Sequence, residues 1–316
     1  MKADNLQLWR IFCTVVEKGG VNAACEALDC EPSTVSRAVK TLEAELGVAL
    51  FRREGRTLQL TDIGRTAYKR SLELIARHDE MVADLQGDRD TLSGSVKVAT
   101  HAGNGPTTVT SALVNFLKTY PDMHIELHEL NGMVPGAFRT AEGGTVDLVM
   151  SYGPETPIPG LVSRFVGEMP FVACTSPLYI KRFGAPQHPA DCIHHTGILP
   201  DIQTRAITKS LECRGRMEEL HWKNTIVFKN LLAVKNAAVL GGGIVPDLPL
   251  FHLADYLRTG ELVDVMPGWR RKPALCFVYA TEEAFERRRV RILMEWLADS
   301  QRKVLSDLKA QNPAFY

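Results

Sequence analysis

Apolar residues at the start of the chain recur at helical spacing. Leu6, Trp9, Phe12, Cys13 and Val16 share one face, and Arg10 interrupts the run, so the segment is a packed helix and not a cleavable leader. A second helix is predicted through Leu28, with Asn22 as its cap. After the short connection Asp29-Cys30-Glu31, a third begins at Pro32, where a first helical residue needs no N–H. Within EPSTVSRAVKTLEAEL (31–46), Val35, Ala38, Val39, Leu42 and Leu46 form one apolar stripe, and Ser33, Arg37, Lys40 and Ala44 lie opposite. Gly47 ends that helix. ALFRR and TLQLT read as two short strands around Glu54-Gly55-Arg56, and Thr61 is placed to cap the next helix. Three helices with a tight second turn, then a hairpin, spell a winged helix-turn-helix.

From Asp62 to Gln86 runs one long helix with a seven-residue rhythm in Ala67, Tyr68, Ser71, Leu74, Ile75, Met81, Val82 and Leu85, and with His78 in the seam. Self-pairing is the economical use of such a stripe; packing on the chain's own second domain is the alternative. GDRDTLSG (87–94) reads as a hinge. Beyond it, strands and helices alternate. VKVAT (96–100) precedes an amphipathic helix to Tyr120, and strands are predicted at 124–130, 146–151, 171–176, 197–200 and 243–246. That order predicts a parallel α/β architecture with ligands at strand carboxyl ends.

The 316 residues fit about two or three domains. Lys plus Arg equals Asp plus Glu at 37 each, so any attraction to nucleic acid is local. Residues 32–70 carry eight basic side chains (Arg37, Lys40, Arg52, Arg53, Arg56, Arg65, Lys69, Arg70) against four acidic ones, whereas residues 1–31 are net acidic. A basic helix face by itself is usually a solvated face. A following hairpin with Arg52, Arg53 and Arg56 turns the reading toward phosphates flanking a groove. Seven scattered cysteines with no C-x-x-C pair point to a reducing compartment, hence a cytoplasmic protein, and argue against disulfides or a zinc knuckle. No run approaches the ~18 apolar residues of a membrane span, so no membrane partner is expected.

With AACEAL, PSTVSRAVKTLEAELGVALFRR and LTDIG (23–64), then SGSVKVAT, FLKTYPDMHIELHELNG, GTVDLVM, TSPLYI, LGGGIVPD and GELVDVMPGW, the chain resembles the LysR-type transcriptional regulators over essentially its whole length. The resemblance implies an α+β multidomain protein: a winged helix-turn-helix (1–61), a long linker and dimerisation helix with hinge (62–90), and a two-subdomain α/β effector-binding domain of periplasmic-binding-protein type (91–316). Subdomain I would span about 91–162 and 266–300, and subdomain II about 163–265. It also implies a homodimer or homotetramer on double-stranded promoter DNA, and a small-molecule effector bound between the subdomains that alters how the DNA is held. Where the family commonly has Ser-Gln-Pro at the start of the recognition helix, this chain has Glu31-Pro32-Ser33. Pro32 lacks the side-chain amide that reads a base edge, which points to an unusual operator. Base reading falls to Ser33, Thr34, Ser36, Arg37 and Lys40, with Arg52, Arg53 and Arg56 setting the wing on phosphates.

In THAGNGP (100–106) a strand ends, two glycines turn the backbone, and Pro106 opens a helix whose free N–H groups make an anion site. Thr100, His101, Gly103 and Asn104 belong to it; Asn131, Ser151 and Tyr152 follow two other strands, and Leu199, Pro200, Asp201 and Pro246 face them from the second subdomain. These positions match where the family's effector contacts cluster, and the expected effector is a small organic anion. Gly103-x-Gly105 with Glu126 or Glu129 downstream imitates a dinucleotide fingerprint, but Thr108 stands where the third glycine belongs. Gly241-Gly242-Gly243 lacks the lysine of a phosphate loop and reads as a tight turn before a buried strand. His124, Glu126 and His128 share a strand face that is more simply a solvated edge than a metal site. No catalytic constellation assembles, so an enzyme, a cofactor and a metal are not expected. The alternatives are a redox sensor built on Cys213, set among Lys209, Arg214 and Arg216, with Cys192 as resolving thiol, and more remotely a nucleotide-dependent oxidoreductase.

Overall fold

In the computed structural model of the protein, residues 4–54, 57–86, 92–101, 108–130, 132–140, 143–202 and 205–316 are described. They fall into two units, Met1–Arg89 and Asp90–Tyr316. In the first, α1 (Leu6–Glu17) starts where Asn5 accepts the Gln7 N–H, and it buries Ile11, Phe12, Cys13 and Val15. Helix α2 (Val21–Leu28) is entered from Gly20, so Asn22 is not its cap: the turn at Gly19, with φ +74°, brings the chain into the helix before Asn22. Helix α3 (Pro32–Leu46) has Pro32 in its first turn and ends at Gly47, φ +68°.

The stripe Val35, Ala38, Val39 and Leu42 is buried against α1 and α2, but Leu46, predicted with it, is 37% exposed because the last turn of α3 runs past the edge of that core. Phe12 fills a second cluster with Cys13, Leu42 and Leu50, its ring edge-on to Phe51 at 5.4 Å and to Tyr68 at 6.5 Å. Strands β1 (Phe51–Glu54) and β2 (Thr57–Leu60) pair antiparallel as the wing. Glu43 anchors its base: Oε1 accepts the N–H of Leu50 at 2.7 Å and of Phe51 at 3.0 Å.

Helix α4 (Asp62–Gln86) is capped as expected, Thr61 Oγ1 accepting the Gly64 N–H at 2.9 Å. Its stripe divides. Ala67, Tyr68, Ser71 and Ile75 pack within this same unit, on the α1 core, a use of the stripe that neither self-pairing nor packing on the second domain provides for. Ile63, Leu72, Leu74 and Met81 stay exposed. His78 is solvent-facing beside Asp79, which Arg10 of α1 clamps. That half-exposed ion pair contributes at most about 1 kcal/mol.

The second unit holds two sheets of one design. Strands β3 (Gly94–Thr100), β4 (Met123–Glu129), β5 (Leu148–Gly153), β6 (Leu161–Met169) and a late strand, β14 (Ala274–Thr281), form a sheet ordered β4-β3-β5-β14-β6. Its first three strands are parallel, and β14 is antiparallel to both β5 and β6. Strands β7 (Phe171–Thr175), β8 (Thr196–Pro200), β11 (Asn224–Phe228), β12 (Val245–Pro249) and β13 (Val263–Asp264) repeat the plan: β11 and β8 are parallel, a parallel bridge at Gly197 and Ile244 joins β8 to the β12 side, and β7 runs antiparallel between β12 and β13. Strands β9 (Ser210–Cys213) and β10 (Arg216–Glu219) are a separate hairpin.

Both sheets are therefore mixed and not parallel as predicted, because the chain crosses between them twice and a strand beside each crossing runs backward. Since β6 belongs to the first sheet, the first crossing lies at Pro170 and not near 162. Helices α5 (Thr110–Thr119), α6 (Pro177–Phe183), α7 (Leu231–Val239), α8 (Leu250–Thr259), α9 (Glu282–Glu286) and α10 (Arg288–Gln311) complete the unit. Helix α10 continues past the expected boundary at 300 and packs on β6, β14 and α5. The triple glycine is the expected turn: a Cβ on Gly243 would come 2.5 Å from the Thr196 carbonyl oxygen, so only glycine lets β12 lie against β8 there.

Candidate nucleic-acid interface and ligand cleft

With Val35, Ala38, Val39 and Leu42 turned inward, the opposite side of α3 presents Ser33, Thr34, Arg37 and Lys40 to solvent, and Ser36 is half-buried. Ser33 Oγ lies 3.4 Å from Glu31 Oε2, a weak contact that leaves the hydroxyl available. Arg52 is exposed on β1, opposite Gln59 of β2. The carboxylate of Glu43, one of the four acids of this region, is turned toward the backbone N–H groups at the wing base, so its charge is partly withdrawn from this face. Arg56 and the side chain of Arg53 lie outside the described residues.

In the second unit, Thr100 and His101 end β3, Ser151 and Tyr152 lie near the end of β5, Leu199, Pro200 and Asp201 end β8, and Pro246 lies in β12. His101, Ser151 and Tyr152 line a cavity of about 40 Å³ together with Thr108, Met150, Val166, Met169, Phe251, Cys276, Phe277, Gln301 and Leu305. Thr100, Leu199, Pro200, Asp201 and Pro246 are not in that lining, and the carboxylate of Asp201 is held by Lys229. Gly103, Asn104 and Asn131 lie outside the described residues, as does the turn 102–107 that sequence reading made the anion site.

Beside this cavity lies a charged cluster that sequence reading missed. The Arg205 and Asp247 side chains are 3% and 0% exposed, with Arg205 Nη1 at 3.0 Å from Asp247 Oδ2. The same nitrogen donates to the Asp247 carbonyl oxygen at 2.9 Å. Thr208 Oγ1 also donates to Oδ2, and Arg271 Nη1 reaches both Thr208 Oγ1 (2.7 Å) and Oδ2 (3.3 Å). Both guanidinium groups lie over the ring of Phe171, at 4.9 Å for Arg205 and 5.1 Å for Arg271. Tyr152 links cluster and cavity, its ring 6.1 Å from Phe171 and 4.6 Å from His101.

Burial governs the titration of these groups. It pushes His101 down to about 4, with the positive Arg205, and His252 once protonated, adding to the effect, and it pushes His252 to about 4, aided by Lys235 and Arg205. Both imidazoles are neutral near pH 7. Burial also raises the Asp247 carboxyl and lowers the Arg205 guanidinium, each against the pull of its partner. The pair is under-solvated as it stands. Thr100 Oγ1, His101 Nε2, Arg205 Nε and Nη2, and Asp247 Oδ1 are all buried without a hydrogen-bond partner among the described residues. Unpartnered buried polar atoms are rare in folded proteins, and here several of them gather near one ion pair. The one sequence signal for it was an arginine shortly after β8, in the connection equivalent to the one after β3.

The decoys resolve simply. Glu126 sits between Lys97 (3.7 Å) and His128 (3.3 Å) on strand β4, at the sheet edge, and no cluster of metal-ligating residues occurs among the described residues. Cys192 is buried with Sγ 3.7 Å from Met266 Sδ, and burial, with Asp191 adding, pushes its thiol up to about 12. It lacks the thiolate character a resolving partner needs. All seven cysteines are free. The dinucleotide-like glycines lie outside the described residues. No described helix is long and apolar enough to cross a membrane.

Comparison with known proteins agrees with this arrangement. Residues 6–65 match the bacterial regulatory helix-turn-helix protein, lysR family, and residues 89–302 match the LysR substrate binding domain. The uncharacterized HTH-type transcriptional regulator YhjC of Escherichia coli K12 is 27% identical over 96% of this chain and 99% of its own length. The HTH-type transcriptional activator AaeR of the same organism is 25% identical over 94% of each chain. Among solved structures, the full-length Vibrio cholerae virulence activator AphB superposes with a TM-score of 0.57 at 23% identity, covering 93% of this chain and 99% of that one. These relatives are regulators and not enzymes. The protein belongs to the LysR family of helix-turn-helix DNA-binding transcriptional regulators.

Proposed function

We infer that the protein is a cytoplasmic regulator that binds promoter DNA as a symmetric oligomer and changes its hold on that DNA when a small organic anion enters the second unit beside Tyr152 and Arg205. The observation that carries the sensing half is charge: Arg205 and Arg271 face a single carboxylate, Asp247, with both neighbouring histidines neutral. With Arg271 about a third exposed, this leaves a partly solvated positive surplus beside the buried pair, which supports an anionic ligand. Phe171 opens β7 directly after the first crossing at Pro170, and Arg271 lies in the second crossing, so an anion here acts on the connection between subdomains.

On the DNA side, Ser33, Thr34, Ser36, Arg37 and Lys40 read base edges, while Arg52, Arg53 and Arg56 hold phosphates. Gel retardation across promoter fragments tests this. Arg37→Ala should relax sequence preference, costing about 1–3 kcal/mol on the preferred site, whereas Arg52→Ala should weaken all sequences alike and lower the salt slope by about one. Equal loss on all sequences for Arg37→Ala would remove it from base reading. For the sensing half, a thermal-shift screen of carboxylates and sulfonates on the full chain should give at least one stabilised complex. A flat response to every anion rejects it.

A further inference from the structure

We propose that Cys25 and Cys30 form a redox switch in the turn of the helix-turn-helix: hydrogen peroxide joins them in a disulfide that moves the start of α3 and weakens its hold on DNA. The inference rests on the base reading assigned to α3 above and is independent of the anion reading.

The end of α2 brings the two residues together. Asp29 takes the left-handed conformation, φ +47° and ψ +52°, and the Cys25 carbonyl oxygen accepts both the Asp29 N–H and, at 3.2 Å, the Cys30 N–H. The second of these is the hydrogen bond of a Schellman turn, a helix ending that sets its first and sixth residues side by side, usually in an apolar contact. Here both positions are cysteine, and the thiols meet closely enough for a side-chain hydrogen bond between them. Cys25 is 7% exposed and packs with Ala24, Val35, Ala38 and Val39, while Cys30 lies half-buried at the edge of that cluster. Both are free thiols. Cys13 and Cys192, by contrast, are buried against Ser71 and Met266.

The more accessible Cys30 sulfur attacks the peroxide, the O–O bond breaks, and a sulfenic acid and one water result. The Cys25 sulfur then displaces the sulfenic oxygen as a second water, so the two thiols give two electrons and two protons to the peroxide. Burial, and after it the charge of a Cys30 thiolate, raises the Cys25 thiol, and the second influence is relieved once Cys30 is a neutral sulfenic acid. The order is therefore Cys30 first. A covalent bond draws the sulfurs well inside the contact distance at which they stand. Cys25 is fixed in the core between helices, whereas only Glu31 separates Cys30 from Pro32, the first residue of α3. The displacement falls on the first turns of α3, where Ser33, Thr34 and Arg37 face outward.

The test treats the reduced full chain with hydrogen peroxide and reads the bond and DNA retention together. Trypsin releases both cysteines in one peptide, residues 19–37, so the disulfide shows as the loss of two hydrogens and as resistance to alkylation until dithiothreitol is added. On a promoter fragment that the reduced chain retains, the oxidised chain should bind on the order of tenfold more weakly, the worth of one base contact, and dithiothreitol should restore the binding. Cys30→Ser should bind like the reduced chain and not respond to peroxide. Peptide mapping and retention on the unaltered chain decide even if this variant fails to fold. Failure of the bond to form, with both thiols still open to alkylation or Cys30 carried on to the sulfinic acid, overturns the switch. A bond that forms without weakening retention overturns it too, as does a peroxide-induced loss that persists in Cys30→Ser. In each case the base reading of α3 stands or falls separately, on Arg37→Ala.

Discussion

At Gly64, a Cβ would come 2.0 Å from the carbonyl oxygen of Leu50, a backbone atom that no rotamer change can move. Replacing a helical glycine with alanine ordinarily gains up to about 1 kcal/mol from backbone entropy. Forcing a methyl into a filled space costs about 1–3 kcal/mol, and here it also pushes on the wing base. Loss should win. Gly64→Ala is expected to lower the urea midpoint of the DNA-binding unit, and a raised midpoint would show that the approach of α4 to Leu50 is loose. The same scale shows what a sequence reader can and cannot find. His101, Ser151 and Tyr152 were legible because each lies at or near the end of a strand with a clear pattern. Arg205, Asp247 and Arg271 were not, because they come from a connection, a strand and a crossing segment that only the tertiary fold brings over Phe171.

Helix α4 shows how far periodicity reaches at the level of elements. Its rhythm predicted the helix correctly, but a stripe does not say which partner covers it. Ala67, Tyr68 and Ile75 turn out to face α1, and Leu74 and Met81, 53% and 52% exposed, are left over with Ile63 and Leu72. If a second copy covers them, Leu74→Glu should shift sedimentation toward monomer and weaken binding to a two-half-site operator while leaving the thermal stability of the DNA-binding unit unchanged. An unaltered sedimentation profile would move the dimer contact elsewhere. The apolar positions of α10 also fall at helical spacing, from Val290 to Leu308. Strands β6 and β11 carry no comparable mark: their exposed Phe165, Ile226 and Val227 break the alternation of a half-buried strand. The backward direction of β14 follows from the second crossing, which no local pattern encodes.

Over the whole molecule, stability should depend on pH through the two buried imidazoles. His101 and His252 are held near 4 in the fold against an ordinary 6.5, so as pH falls below 6.5 the unfolded chain takes up protons that the native state refuses. Their contribution is complete above pH 6.5 and is lost progressively as pH falls through about 4. Asp247, raised by burial, works in the opposite sense, so the comparison with a variant is the informative measurement. His252→Gln should flatten the decline in melting temperature across that window, and an unchanged slope would mean that this imidazole is solvated. The place of β14 between β5 and β6 has a consequence for biosynthesis. The amino-terminal unit holds its whole core by Arg89, but the first sheet of the second unit lacks an inner strand until residues 274–281 have been made. A nascent chain on the ribosome thus carries a finished helix-turn-helix unit well before the first sheet of the second unit can close, since that sheet must wait for residues 274–281.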